Sequence, residues 1–312
     1  MNNKKQFQYY GKVGIGRTEA FEKKGLGKYS VNIGNICEFG CSYCYVTSIT
    51  QKQNVIKRIV AQGHKIEDIS CYREPENVLH CVSKDVDYIS PKDDGYVFFC
   101  TTCDPCATRE HTETTIKAIR LIMERSRLQV RVLSKSVNII HIAQELACYK
   151  DRITYSLSTG TASPDVSKAI EERASNITER IQALHWLQDN GFRTYAMICP
   201  ILPSEVHNVN QLLDQVRSEH CEGVWIEAVN VRGKSLVNTY KKLMDAGLKE
   251  HASELKRVRG NKTAWIEYTK RLFLGFQSEL NRRGLFPRMR FLQYVSKGDR
   301  EFFEGQPGAI CL

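Results

Sequence analysis

Six short apolar segments with helical patterns between them constrain the fold more than anything else in the chain. They lie at residues 30–36, 96–101, 129–133, 153–158, 192–199 and 223–228, each rich in β-branched or aromatic residues. Amphipathic stretches at 74–88, 111–126, 137–148, 178–190 and 209–219 fill the gaps, and Gly191 follows the fourth where a C-cap belongs. Strands alternating with helices, at intervals of about 25 to 40 residues from the second strand onward, predict βαβ units and a parallel sheet. Right-handed crossovers then allow an open doubly wound sheet or a curled barrel. After Ala228 the pattern changes to two long helices, 235–257 and 263–283, and one strand, 288–294. The expected division is therefore an α/β body over 1–231 and a mainly helical extension, packed on it, over 232–312.

The 312 residues can bury a sizeable core, and 42% hydrophobic with 26% charged residues excludes wholesale disorder. The opening MNNKKQFQYY has no apolar h-region, and no apolar run approaches ~18 residues. The expectation is a cytoplasmic protein without membrane contact. Net charge is +10, and nearly all of it falls after Val231, where 17 basic face 8 acidic residues. That third could meet nucleic acid or another anion, or form a solvated helical surface. Twelve cysteines without an export signal point to thiols and metal ligands rather than disulfides.

Three of them form Cys37-Glu-Phe-Gly-Cys41-Ser-Tyr-Cys44-Tyr45, just beyond the first strand. In parallel α/β folds, reactive groups sit at the C-terminal ends of strands. Three thiolates hold three corners of a [4Fe–4S] cubane and leave the fourth iron open to substrate chemistry. A zinc knuckle is the alternative, but it wants four ligands and the loop offers three.

This triplet, with aromatic Tyr43 before its third cysteine, resembles that of the radical S-adenosylmethionine (AdoMet) superfamily. The resemblance implies a partial (β/α)6 TIM-like barrel, with the methionyl amine and carboxylate chelating the open iron. It also implies one-electron cleavage of the sulfonium, giving a 5′-deoxyadenosyl radical that abstracts hydrogen from a substrate. An external reductant such as flavodoxin or ferredoxin would supply the electron. Further anchors are similar to the spore photoproduct lyase branch and its shorter relatives: Cys100-Thr-Thr-Cys-Asp104, Leu133-Ser-Lys135, Ser156-Leu-Ser-Thr159, Glu171 with Arg180, and Cys199-Pro-Ile-Leu-Pro203. They extend from about Asn32 to Pro203, half the chain, and each falls at or just beyond an expected strand end.

The resemblance implies AdoMet-binding roles for Tyr43, Thr101, Thr102, Lys135, Ser156, Ser158 and Arg180. On physical grounds Lys135 offers a point cation for a carboxylate. Thr154, Ser156 and Ser158 share one strand face, a polar stripe that needs partners. Arg180 could clamp a carboxylate or ribose, or pair with Glu171. Cys100, Cys103 and Cys106 form a second triplet that departs from the branch's Cys-Thr-Ser-Asp, whose cysteine donates hydrogen to a substrate radical. Cys100 and Cys103 are candidate catalytic donors. A second cluster, with Cys71 or Cys81 as fourth ligand, and small buried hydrophobes remain alternatives. His64, His80 and His111 read as surface or capping residues, and the Gly11–Gly14–Gly16 run as a loop.

Two substrates fit the branch. A thymine lesion in DNA would use the basic C-terminal third. A small modified base is the preferred reading, because shorter relatives include queuine lyases, which release 7-aminomethyl-7-deazaguanine. A guanine-like edge is best read by a carboxylate accepting two hydrogen bonds. Asp104, Glu227 and Asn230 are the candidate substrate-binding residues, and Tyr45 could stack on a flat ring at the catalytic centre.

Overall fold

The computed structural model describes residues 4–231, 233–296 and 298–312. The chain divides into two compact units. One holds the residues up to Gly40 and Cys44–Tyr155; the other holds Cys41–Tyr43 and Ser156–Leu312.

The first unit carries β1 (Lys5–Tyr9), β2 (Gly16–Arg17), β3 (Tyr29–Val31), β4 (Gly34–Ile36), β5 (Ile69–Arg73), β6 (Tyr96–Phe99) and β7 (Gln129–Ser134). Strands β3, β6 and β7 pair in parallel, with Val31 opposite Phe99 and Phe99 opposite Val132; β2 joins β3 antiparallel. Val97, Phe98, Phe99, Val130 and Val132 are buried, as expected for parallel strands covered on both faces. The covering helices have clear start signals. Glu74 accepts from the amides of Glu76 and Asn77 ahead of Pro75–Val86, and Thr108 accepts from the amide of His111 in Arg109–Arg125.

One expected strand, 30–36, is really two. At Asn32 the chain leaves the β6 side, and its side-chain oxygen accepts from the Thr101 amide at 2.7 Å. Gly34–Ile36 then pairs antiparallel with β5, while β1 pairs parallel with β5 on its other edge. Ile36, Ile56, Ile59, Ile66, Ile69 and Cys71 form a separate small core beneath this three-stranded sheet. Neither β1 nor β5 was expected: KQFQY has one large apolar residue, and ISCYR is too short to show a period.

The division between units falls inside β8 (Ile153–Leu157). The second unit continues with β9 (Arg193–Ile201), β10 (Cys221–Ala228), β11 (Met289–Gln293) and β12 (Ala309–Cys311), paired in that order and all parallel. The helix Ile177–Asp189 starts with an Asn176/Glu179 capping box, and Gly191 follows its end at φ +73°. The expected helix 235–257 is split into Ser235–Asp245 and Lys249–Val258 by Gly247, whose φ of +76° no right-handed helix accepts. Lys262–Arg282 is the long helix foreseen. In the C-terminal extension, β11 docks directly on β10 and β12 on β11, and the residues on both sides of Val231 belong to one compact unit. No helix among the described residues is long and apolar enough to cross a membrane.

Candidate active site

The cysteine loop leaves the end of β4 and turns sharply at Gly40, whose φ of +61° a side chain rarely adopts. A Cβ there would also lie 2.9 Å from Lys4 Cε, and the Lys4 ammonium donates to the Cys37 carbonyl at 3.0 Å. Backbone amides of Phe39 and Asp104 point at the Cys37 sulfur. Burial pushes the Cys37 thiol up to about 12, and these N–H donors pull the other way, toward an anionic sulfur. Cys37, Cys41 and Cys44 are in no disulfide, and all three are half-buried. Tyr43 between them is buried, and its hydroxyl donates to Glu171 Oε1. Tyr45 starts the short helix Val46–Thr50, and its carbonyl accepts from the Ser48 amide and hydroxyl.

Cys100, Cys103 and Cys106 are buried. Cys100, Cys37 and Asp104 all lie near enough to Cys103 to act on it electrostatically. Burial pushes the Cys103 thiol well above its ordinary range, so it keeps its proton. Cys106 instead packs beside Ser134 and Asp104.

Several expected ligand groups are occupied by the protein itself. Asp104 Oδ1 accepts from the Cys106 amide at 2.9 Å and Ser134 Oγ at 2.7 Å, and Oδ2 from the Lys135 amide at 2.8 Å. This carboxylate braces two strand ends, because an unpaired buried charge would cost several kcal/mol, and it does not present itself to a base. Thr101 Oγ1 donates to Asn32 Oδ1 at 3.0 Å, and Thr102 Oγ1 to the Gly34 carbonyl at 2.7 Å. Both threonines therefore hold the β3–β4 crossing. Lys135 follows β7 and is half-buried.

The stripe on β8 is fully buried, and among the described residues Thr154 Oγ1 and Ser156 Oγ have no hydrogen-bond partner; neither does Thr159 Oγ1 just beyond. Arg180, expected either to clamp a cofactor or to pair with Glu171, is committed to protein groups through both terminal nitrogens. Nη1 donates to the Ser158 carbonyl at 2.5 Å; Nη2 donates to Ser167 Oγ at 2.9 Å and pairs with Glu171. Near the end of β10, Glu227 is half-buried, with no hydrogen bond or ion pair among the described residues. The Asn230 carbonyl accepts from Ser235 Oγ at 2.6 Å.

Tyr72 escaped the sequence reading, and His111, read there as a surface or capping residue, packs against it. The Tyr72 hydroxyl accepts from the Glu38 amide in the cysteine loop at 3.3 Å, and its ring stacks on His111 at 3.5 Å between centroids. The position of Tyr72 at the end of an unrecognised strand hid this. Burial lowers His111 from 6.5 to about 4. Between those values the unfolded chain binds a proton that the folded chain refuses, so stability falls as pH drops through the window. His111→Phe keeps the stacking surface. It should remove on the order of 2 kcal/mol of acid destabilisation, read as urea midpoints at pH 7 and 4.5.

The donor set suits an iron–sulfur cluster with AdoMet. It combines three cysteines on one tight loop, none of them in a disulfide, with two backbone amides aimed at the Cys37 sulfur. Among the described residues no three His, Cys, Asp or Glu side chains converge on one point as a single ion demands. Cubane ligands bind different irons and stand apart. A family model for the Radical SAM superfamily matches residues 31–216. The chain belongs to this superfamily, and with it come the [4Fe–4S] cluster and AdoMet as cofactors. Its fold is the mixed α/β, parallel-sheet architecture of the superfamily's partial barrel, with C-terminal helices.

Among curated proteins, an uncharacterized protein of Methanocaldococcus jannaschii is 23% identical over 247 residues, covering 77% of this chain and 83% of its own. Among solved structures, spore photoproduct lyase complexed with dinucleoside spore photoproduct superposes with a TM-score of 0.60 at 13% identity, covering 98% of this chain and 81% of the lyase. A mutant of that lyase with bound AdoMet and dinucleoside spore photoproduct gives 0.57 at 14% identity, covering 86% and 77%. In another alignment to the lyase, with a TM-score of 0.54 at 13% identity, the match covers 76% of this chain but 65% of the lyase. At such identities the likeness concerns the fold.

Proposed function

We propose that this chain is a radical SAM lyase that cleaves a bond in a modified nucleobase, with queuine as substrate and 7-aminomethyl-7-deazaguanine as product. Cys37, Cys41 and Cys44 hold the cluster, and a flavodoxin or ferredoxin delivers the electron. Together the cluster and AdoMet supply a 5′-deoxyadenosyl radical, the source of the hard chemistry. Lys135 takes the methionyl carboxylate. Tyr43 lines the AdoMet site, and the hydroxyls of Thr154, Ser156 and Ser158 fix the cofactor's polar edge. Cys103, with Cys100 beside it, retains the S–H hydrogen that a donor to a substrate radical must carry. Tyr45 stacks on the base, and Asn230 binds its polar periphery.

The observation that carries the substrate class is Glu227. A half-buried carboxylate at a strand end, without a partner among the described residues, is an acceptor pair in search of donors. A deazaguanine edge offers two adjacent N–H donors to such a carboxylate. A thymine ring offers one N–H between two carbonyls and would leave an oxygen facing an oxygen.

A DNA lesion is the second reading. It is favoured by the neighbouring lyase structures and by the basic stretch after Val231. Two measurements separate them. Queuine should raise the yield of 5′-deoxyadenosine and ultraviolet-irradiated DNA should not; the reverse would exchange the ranking. Glu227→Gln, which turns one acceptor into a donor, should raise KM for queuine about tenfold or more with a smaller change in kcat. An unchanged KM would remove Glu227 from the site.

A further inference from the structure

We propose that the buried chain Tyr43–Glu171–Arg180 is a positioning device that fastens the middle of the cysteine loop and sets how firmly the loop holds its cluster. The inference rests on Cys37, Cys41 and Cys44 being the cluster ligands, and it goes beyond that assignment by giving the loop a dedicated brace. All of the bracing groups lie in the second unit, which includes Cys41–Tyr43. The Ser42 amide donates to the Ile170 carbonyl at 2.9 Å, and Ser42 Oγ meets Thr239 Oγ1 at 3.0 Å. Tyr43 OH donates to Glu171 Oε1, while Glu171 Oε2 receives Arg180 Nη2 and Ser167 Oγ, the latter at 3.2 Å. Tyr43, Glu171 and Arg180 are 8%, 6% and 1% exposed.

A phenylalanine at 43 would fill the same volume without desolvating a hydroxyl, and two apolar residues could replace the ion pair. Buried polar triads of this kind add little net stability, but they admit one geometry. Here the geometry fixed is that of the residue between two ligands. With the phenol held, the backbone from Cys41 to Cys44 cannot turn without breaking a hydrogen bond to a buried charge. Glu171 caps the end of the helix Pro164–Ile170, and Arg180 lies in the helix Ile177–Asp189, so the brace is anchored on rigid elements rather than on the loop. Arg180 and Glu171 are also near enough to the Cys41 sulfur or to Tyr43 to act on them electrostatically. The chain therefore presents a neutralised pair, not a lone cation, beside a ligand sulfur.

The test uses the full chain, reconstituted anaerobically, with a ferrous chelator as probe. Tyr43→Phe should bind the wild-type amount of iron but release it about fivefold faster, the consequence of losing one hydrogen bond of about 1 kcal/mol. Tyr268→Phe serves as the control. It removes the buried hydroxyl that donates to the Ile201 carbonyl at 2.6 Å, elsewhere in the same unit. It should cost comparable stability and leave iron release unchanged. Glu171→Gln keeps an acceptor for Tyr43 but leaves Arg180 uncompensated, so the cluster's midpoint potential should rise while release changes less than in Tyr43→Phe. Wild-type release from Tyr43→Phe, or equal acceleration by Tyr268→Phe, would overturn the brace. Retention of full iron by Cys41→Ala would instead refute the ligand assignment beneath it.

Discussion

Replacing Cys41 with alanine is expected to strip most of the iron from the reconstituted protein and reduce 5′-deoxyadenosine formation to background. Three sulfurs are the fewest that hold a cubane while leaving one iron for AdoMet. With two, nothing on the loop fixes the cluster's orientation. The loss should not be confused with unfolding. Cys41 is half-buried on a loop, so removing its sulfur should change the stability of the metal-free chain by only about 0.5 kcal/mol. Cys148→Ala is the matched control: that thiol is exposed, in the short 3-10 turn Ala147–Tyr149, and its loss should leave both iron and turnover intact. Full activity in Cys41→Ala would reject the loop as the cluster site.

The largest loss of stability is expected from Arg180→Ala, about 3–5 kcal/mol, because it leaves the Glu171 carboxylate buried without its cation. It also abandons the Ser158 carbonyl at the end of β8. The pair should be strongly coupled. Removing Glu171 as well, in Arg180→Met with Glu171→Leu, should recover a large part of the loss, since two apolar side chains leave no uncompensated charge. Urea denaturation of the four members of that cycle measures the coupling. Additive losses would mean that Arg180 stabilises the fold through other contacts.

Where the sequence was informative, the information was periodic or chemical. The alternation of buried runs such as 96–99 and 193–201 with capped helices specified the parallel sheet, because both features are local. The cysteine spacing was equally plain, since loop length and ligand type act within eight residues. What stayed hidden depended on partners far along the chain. Asn32 splits one apparent strand in two by accepting from Thr101 and Thr102, nearly seventy residues on. Asp104 looked available at a strand end, and only the approach of Ser134 and Lys135 reveals that its oxygens are taken. Arg180 had two readings in sequence, and the Glu171 pair, one of them, forms only when the helix geometry brings the two side chains together. Tyr72 gave no signal at all, because β5 has neither length nor alternation to announce it. Gly247 is the opposite case: a lone glycine inside a helical pattern that could have been taken as a break.

The open iron is the claim on which the chemistry depends, and the electron paramagnetic resonance spectrum of the dithionite-reduced, anaerobically reconstituted chain tests it most directly. The expected result is a [4Fe–4S]+ signal whose g-values shift when AdoMet is added, as they must if the cofactor binds iron itself. A zinc-loaded protein without that signal, or a cubane whose spectrum ignores AdoMet, would contradict it.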